Sequence, residues 1–499
     1  MRWDSHWHPM GIMYISAYLE KRGYKNYLVN TKLLNSDISG LGTGEVEKLV
    51  CDKIAELNLD LLGVSCAVNE INYVKSFCGR IKKILPDLKI MVGGPMPATM
   101  PELFLEDASI DFVVRGEGEE IVLNLVKRLE DDGGFDEVKG LSYRKNGLPV
   151  HNPAQPLIED INTIPLPAYE KVDMKQYVSM HDWVIRGFPL RGIFFLTSRG
   201  CPFDCTFCGA STIHGKKVRF RSPESIRAEL TLLRDTYGVE GVFFSDDTFT
   251  LNRRHVMAIC SIMKELGLVW GCFARVDTIQ EDLLRVMKDS GCLQLDFGVE
   301  SGSDRVLTDI IKKGTTVAQA KNAFALCGKH GMRSFANLMI GLPTETEEEM
   351  GATYLLSKEL NAHAYILSIA MPLPNTGLWN MVAPRIGPDE YDKLNWHGED
   401  FELTDRCNRS GVSTQKLLQL HEYYGKKLQN AAIARTFRNY GQYLSTFMKL
   451  GHKPERLKFE FICRVRQIPM VFKFYLFLKS RFKIVGRLNL FLKSLGSGS

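Results

Sequence analysis

Short apolar runs, rich in β-branched and aromatic residues, alternate along the chain with longer segments whose apolar positions recur every three or four residues. This alternation predicts parallel strands buried between layers of helix. In the first third, strands are expected at 27–30, 61–65, 89–93 and 112–115, with helices over 10–22, 44–57, 69–84 and 118–131. The strands end in small or polar residues: Ser65-Cys66, Gly93-Gly94-Pro95 and Arg115-Gly116-Glu117-Gly118-Glu119. An open parallel sheet receives its ligand beyond such carboxyl ends, and glycine there lets a bulky ligand approach the backbone. A hairpin turning at Asn146-Gly147 follows, and then a proline-rich breaker, Ile164-Pro-Leu-Pro-Ala168.

From residue 191 the alternation returns six times, with strands near 192–197, 241–245, 270–275, 293–299, 334–340 and 365–371. Six strand–helix repeats predict a partial barrel, whose chemistry sits at the carboxyl ends of its strands. Two helices, over 413–428 and 431–450, come after it. The expected division is a first domain over 1–137, a hairpin and linker over 138–190, a barrel over 191–380 and a helical region over 381–499.

The end of the first barrel strand carries Cys201-Pro-Phe-Asp-Cys205-Thr-Phe207-Cys208. Three thiols on one short loop are one ligand short of a closed zinc or electron-transfer site. The triplet therefore points to a [4Fe–4S] cluster with one iron left open for substrate. A zinc site completed by a remote side chain, or three small buried residues, are the competing readings. The other strand ends carry Asp246 and Asp247, Arg275, Glu300 and the Ile340-Gly341 pair. Adjacent carboxylates repel unless a cation or donor faces them, although either aspartate can also cap the next helix. Arg275 is suited to bidentate pairing with a carboxylate, and Glu300 to accepting from hydroxyls or an ammonium; each can also belong to a structural ion pair. Cys260, Cys272 and Cys292 lie on predicted helix or strand and read as small buried hydrophobes.

The cysteine loop, with Phe207 before its last cysteine, resembles the signature of the radical S-adenosylmethionine (SAM) superfamily. Pro9-Met-Gly11, Gly93-Gly94-Pro95 and Arg115-Gly116-Glu117-Gly118-Glu119 resemble the cobalamin-binding domain of its B12-dependent branch. The resemblance implies an α/β protein: a Rossmann-like cobalamin-binding sheet, then a partial (β/α)6 radical SAM barrel and a helical C-terminal region. With only Met1–His8 ahead of the Pro-x-Gly helix, that sheet is expected to lack its first strand. Cys201, Cys205 and Cys208 would ligate the cluster. SAM would meet Phe207, Asp246 or Asp247, Arg275, Glu300, Ile340 and Gly341. Cobalamin would lie against Pro9, Gly11, Ser65, Gly93, Gly94, Pro95, Gly116, Glu117 and Gly118. No D-x-H-x-x-G segment offers a histidine to cobalt, and His6 and His8 are candidates by type alone. The implied activity is reductive cleavage of SAM to a 5′-deoxyadenosyl radical, followed most plausibly by methylation of an unactivated carbon. An electron donor of the flavodoxin or ferredoxin type would serve it. A radical cyclase or oxidoreductase, and a non-catalytic cofactor-binding module, stay open.

At 499 residues the chain is long enough for two or three domains. Its 12 cysteines, unevenly spaced and without a signal-like start, do not form a secreted disulfide framework, so a reducing cytoplasmic setting is expected. The net charge of +5 is uneven. Residues 451–499 hold eleven lysines and arginines against Glu455 and Glu460, interleaved with aromatics, so the remainder is mildly acidic. Such a tail can lie on an anionic membrane surface, with a lipid-like substrate to match, or pack on the barrel; nucleic acid is the disfavoured partner. No apolar run approaches the roughly 20 residues that cross a bilayer.

Overall fold

The computed structural model describes residues 7–29, 43–67, 70–181, 184–386 and 405–438. In the first sheet, β1 (Leu61–Ser65), β2 (Lys89–Gly93) and β3 (Phe112–Val114) run parallel in that order, and helices Ile71–Ile84 and Gly118–Glu130 lie along them. The hairpin of β4 (Leu141–Lys145) and β5 (Leu148–His151) extends this sheet, pairing antiparallel to β3. Asn146 at φ 54° and Gly147 at φ 80° make its turn. Both central residues are left-handed, which matches the twist of the strands.

The strand expected at 27–30 is not formed through Tyr27–Val29, and Asn30 lies outside the described residues. Just ahead of it, Asn26 makes two polar contacts. The Asn26 carbonyl accepts from Lys171 Nζ at 3.2 Å, and Asn26 Nδ2 returns to the Ser16 carbonyl at 3.1 Å. Among the described residues β1 is therefore the sheet's edge.

In the second sheet, β6 (Met180–His181) pairs antiparallel with β7 (Leu190–Phe195), and a small ribbon, β8 (Ser198–Arg199) with β9 (Arg219–Phe220), stands at the end of β7. β10 (Gly241–Phe244), β11 (Val269–Ala274), β12 (Cys292–Glu300), β13 (Arg333–Ile340) and β14 (Ala364–Ile369) follow β7 in parallel, each beside its predecessor, in a curled half-barrel. The intervening helices carry the stops and starts their sequences specify. Ser222 and Asn252 cap Pro223–Tyr237 and Arg253–Leu266, which end at left-handed Gly238 and Gly267. Thr316/Gln319 and Thr346/Glu349 form capping boxes on Val317–Lys329 and Glu347–Leu360.

Because successive strand residues face opposite ways, Phe195, Val242, Phe244, Trp270, Cys272, Leu295 and Phe297 join the core beneath the helices. Phe194 and Phe243 fall in a separate cluster with Val184, Ile185 and Phe188, on the other face of the sheet. There Trp7 stacks on Phe194 at 3.9 Å, and Phe243 meets Phe273 edge-on at 4.9 Å. The two helices expected over 413–428 and 431–450 are one helix, Thr414–Arg438, since nothing in Gln429-Asn430 breaks a helix; 439–450 and the basic stretch 451–499 lie outside the described residues. Among the described residues no helix is long and apolar enough to cross a membrane.

Candidate functional site

The chain leaves β7, runs through β8 into the cysteine loop, and returns through β9, so the three thiols stand at the carboxyl end of the barrel strands. Cys201 is buried, with its Sγ 3.2 Å from Thr248 Oγ1; the Ala210 N–H points at Cys208 Sγ at 3.5 Å. Burial pushes the Cys208 thiol up to about 11. It pushes Cys205 up as well, against the pull of Lys313 and Arg275, and Cys201 adds to the rise of both thiols. Among the described residues no three His, Cys, Asp or Glu side chains converge on a single-ion position. A cubane, whose irons occupy separate corners, takes its thiolates from farther apart than one ion does. Three thiols, donors aimed at two of them, and two cations nearby form a donor set that fits a cluster of net negative charge.

The strand ends fall into two groups. Arg275, Glu300 and Lys313 close around the loop. Arg275 lies with its guanidinium carbon 3.6 Å over the Phe203 ring, donates to the Lys313 carbonyl at 3.0 Å and pairs with both oxygens of Asp277. A register shift between Gly298 and Glu300, with Glu300 at φ 67°, re-aims the end of β12. There Glu300 Oε1 accepts from Lys313 Nζ at 2.8 Å, and that ammonium sits 5.8 Å from the Phe207 ring centre. Phe207 itself packs with Leu307, Met339 and Leu342. Lys313 is the residue that sequence reasoning missed, since nothing in Lys312-Lys313-Gly314 marks it, yet it is buried.

Asp246 belongs to the second group. It is wholly buried, and its Oδ1 accepts from Thr197 N at 3.0 Å, from Thr197 Oγ1 at 2.8 Å and from Ser198 Oγ. Burial raises its carboxyl to about 6 despite these donors. Asp246 thus ties the end of β10 to the end of β7, and of the two aspartates Asp247 is the one with an accessible carboxylate, 2.9 Å from His214 Nδ1. Ile340 is fully buried and its carbonyl accepts from Ala370 N at 2.8 Å. Gly341, at φ 84°, is shaped by packing, since a Cβ there would come within 2.8 Å of Leu417 of the C-terminal helix. Next to it Glu345 accepts from Leu342 N at 3.0 Å and from the Gly341 N–H, while burial lifts its carboxyl to about 7.

In the first domain Ser65, Gly94, Pro95 and Gly116 lie exposed at the ends of three adjacent parallel strands, and Gly11 is exposed on the first helix with open space where a Cβ would be. Pro9 precedes that helix, and Gly93 lies half-buried at the end of β2. Gly94 at φ 106° lets the backbone pass Cys66, whose carbonyl a Cβ would meet at 2.8 Å. This side-chain-free rim fits a large flat ligand. Two further residues expected there are engaged by the protein itself. A Cβ at Gly118 would meet Ile15 at 2.6 Å, so that glycine serves the packing of the first helix, Met10–Glu20. Glu117 turns inward onto arginines of the barrel. His8 is buried among Tyr169 and Tyr177, where burial pulls its imidazole down to about 3, so it is a core residue; His6 lies outside the described residues. Cys260, Cys272 and Cys292 are core residues as expected.

Comparison with known proteins agrees with this arrangement. The model of the radical SAM superfamily matches residues 195–356, and that of the B12 binding domain matches residues 3–126. The chain is 33% identical over 374 residues to an uncharacterized methyltransferase, PH0819, of Pyrococcus horikoshii, covering 74% of this chain and 77% of that protein. It is 28% identical over 402 residues to the anaerobic magnesium-protoporphyrin IX monomethyl ester cyclase of Rubrivivax gelatinosus, covering 78% of this chain and 69% of that one. Among solved structures, the radical SAM methyltransferase TsrM of Kitasatospora setae, with cobalamin and a [4Fe–4S] cluster bound, superposes with a TM-score of 0.63 at 18% identity, over 77% of this chain and 74% of that one. Sequence and fold together place this chain in the radical SAM superfamily, with a B12 binding domain ahead of its barrel.

Proposed function

We propose that the protein is a cobalamin-dependent radical SAM methyltransferase acting on an unactivated carbon of a small molecule. The observation that carries this reading is the meeting of the three thiols with Arg275, Glu300 and Lys313 at the barrel mouth. When bound, the cluster supplies the electron that splits SAM, and cobalamin supplies the methyl group.

The chain's own residues bind and orient. Cys201, Cys205 and Cys208 hold three corners of the cluster. Asp247, partly exposed and hydrogen-bonded to His214, would receive the SAM ammonium, while Lys313 and Arg275 would supply the positive charge its carboxylate requires. Glu300 holds Lys313 in place, and Phe203 and Phe207, on the loop itself, set their rings against Arg275 and Lys313. The exposed rim of the first domain, at Ser65, Gly94, Pro95 and Gly116, would hold cobalamin.

One relative is named a cyclase, which favours a second reading: a radical cyclase or oxidoreductase on the same machinery. The partners proposed with either reading are a flavodoxin- or ferredoxin-type electron donor and, through the basic stretch 451–499, an anionic membrane surface that would bring a lipid-like substrate.

The test is anaerobic reconstitution with iron, sulfide and hydroxocobalamin, followed by measurement of retained cobalamin and reductant-dependent 5′-deoxyadenosine. Retained cobalamin with 5′-deoxyadenosine formed is the expected result. SAM cleavage without retained cobalamin overturns the methyltransferase reading. Cofactors retained with no cleavage under a competent reductant favour a binding module instead.

A further inference from the structure

The cysteine loop is gripped at both ends of its stem by the first domain. Its outgoing strand β8 and returning strand β9 pair antiparallel, with Arg199 directly opposite Arg219. Like charges in that position repel, so an anion is needed between them. Glu117 provides it. Its Oε1 accepts from Arg199 Nη1 at 3.0 Å and Arg219 Nη1 at 2.9 Å; its Oε2 accepts from Arg219 Nη1 at 2.7 Å and Ile158 N at 2.8 Å. Glu119 Oε1 takes the other arm of Arg199 at 2.7 Å. Arg219 completes the lock by donating to the carbonyls of Ile158 and His214 at 2.8 and 2.9 Å, and the Tyr14 ring of the first helix lies 5.2 Å from the Arg199 guanidinium carbon. Glu117, Glu119 and Arg219 are buried.

The position of this carboxylate gives the contact its meaning. Glu117 lies two residues beyond Arg115 at the end of β3 and directly follows Gly116, which is exposed on the rim proposed above for cobalamin. Arg199 lies two residues before Cys201. One turn of backbone therefore holds its glycine on the exposed rim and its carboxylate on the stem of the cysteine loop. A shift of the rim by a bound ligand would be delivered to that loop through short charge-assisted bonds that admit little slack.

We propose that Glu117, assisted by Glu119, is a positioning residue that sets the cysteine loop against the cobalamin rim and couples the two cofactor sites energetically. The inference rests on the functional reading above, and it predicts that cobalamin changes the affinity for SAM, with the reciprocal effect that linkage demands.

The experiment uses the full chain with its cluster reconstituted anaerobically. SAM dissociation constants are read from the SAM-dependent change in the electron paramagnetic resonance spectrum of the reduced cluster, with and without hydroxocobalamin. In the wild type the two constants are expected to differ by about fivefold or more. In Glu117→Gln, which keeps the side chain's size and loses its charge, the ratio is expected to fall close to one; in Glu119→Gln, which releases only Arg199, to an intermediate value. A merely structural role would lower the melting temperature of every form and leave the ratio alone. If Glu117→Gln does not load its cluster, Glu119→Gln decides: a reduced ratio supports the coupling and a wild-type ratio overturns it. A wild type that retains cobalamin and responds to SAM with no difference between the two constants also overturns it, leaving the functional reading intact. A wild type that retains no cobalamin or shows no response to SAM overturns that reading, and the coupling with it.

Discussion

Lys313 shows how a residue's role can be fixed by its neighbours and left unmarked in the chain. Its ammonium is buried against Glu300, beside Phe207, at a place where an unpaired charge is expensive. Removing one partner of such a pair typically costs 3–5 kcal/mol, much of it from the charge left behind. Lys313→Met is therefore expected to destabilise the protein by about 3 kcal/mol, and the double variant Lys313→Met/Glu300→Gln to recover more than half of that, as read from anaerobic urea denaturation. If the double variant is no better than the single, the pair carries no buried-charge penalty. At this scale the cysteines were legible because their spacing alone implies their chemistry. The choice between Asp246 and Asp247 was not, because what separates them is which carboxylate meets Thr197 and Ser198 across the sheet. The arginine partners of Glu117 were not legible for the same reason: they lie more than eighty residues away in sequence.

Among the elements, strands and helices formed close to where the apolar period placed them. The close approach of β12 to the helix Glu347–Leu360 was not readable. Gly302, just past β12, donates its N–H to Thr353 Oγ1 at 2.9 Å, and a Cβ there would lie 2.4 Å from the Ala352 carbonyl oxygen and 2.6 Å from Thr353 N. Backbone cannot yield as a side chain can. Gly302→Ala is expected to cost about 2–3 kcal/mol and to lower the melting temperature. Gly328→Ala, on the helix Val317–Lys329 with open space around it, is expected to be neutral or to stabilise by up to about 1 kcal/mol. Equal effects from the two would show that helix propensity rather than this contact governs the site. The expected strand at 27–30 failed at this scale too: its apolar residues suit a strand, but the Asn26 carbonyl bonds to Lys171 instead of to a neighbouring strand.

For the whole molecule, the basic stretch 451–499 makes its own prediction. The full chain is expected to float with anionic liposomes at low salt, and a chain ending at residue 450 to stay behind; equal behaviour would sink the membrane reading. The sequence by itself determined the two-part architecture, the order of the barrel strands, the cysteine loop and the family. Those properties rest on local spacing and on the alternation of strand with helix, which neighbouring residues carry between them. Only the tertiary structure decided that the hairpin extends the first sheet, that Asp246 is buried against Thr197 and Ser198 while Asp247 meets His214, that Lys313 is buried beside the cysteine loop, and that Glu117 joins the two domains. Each of these depends on which distant groups are brought together out of water. There a buried charge must find a partner, and the partner's address is set by the fold.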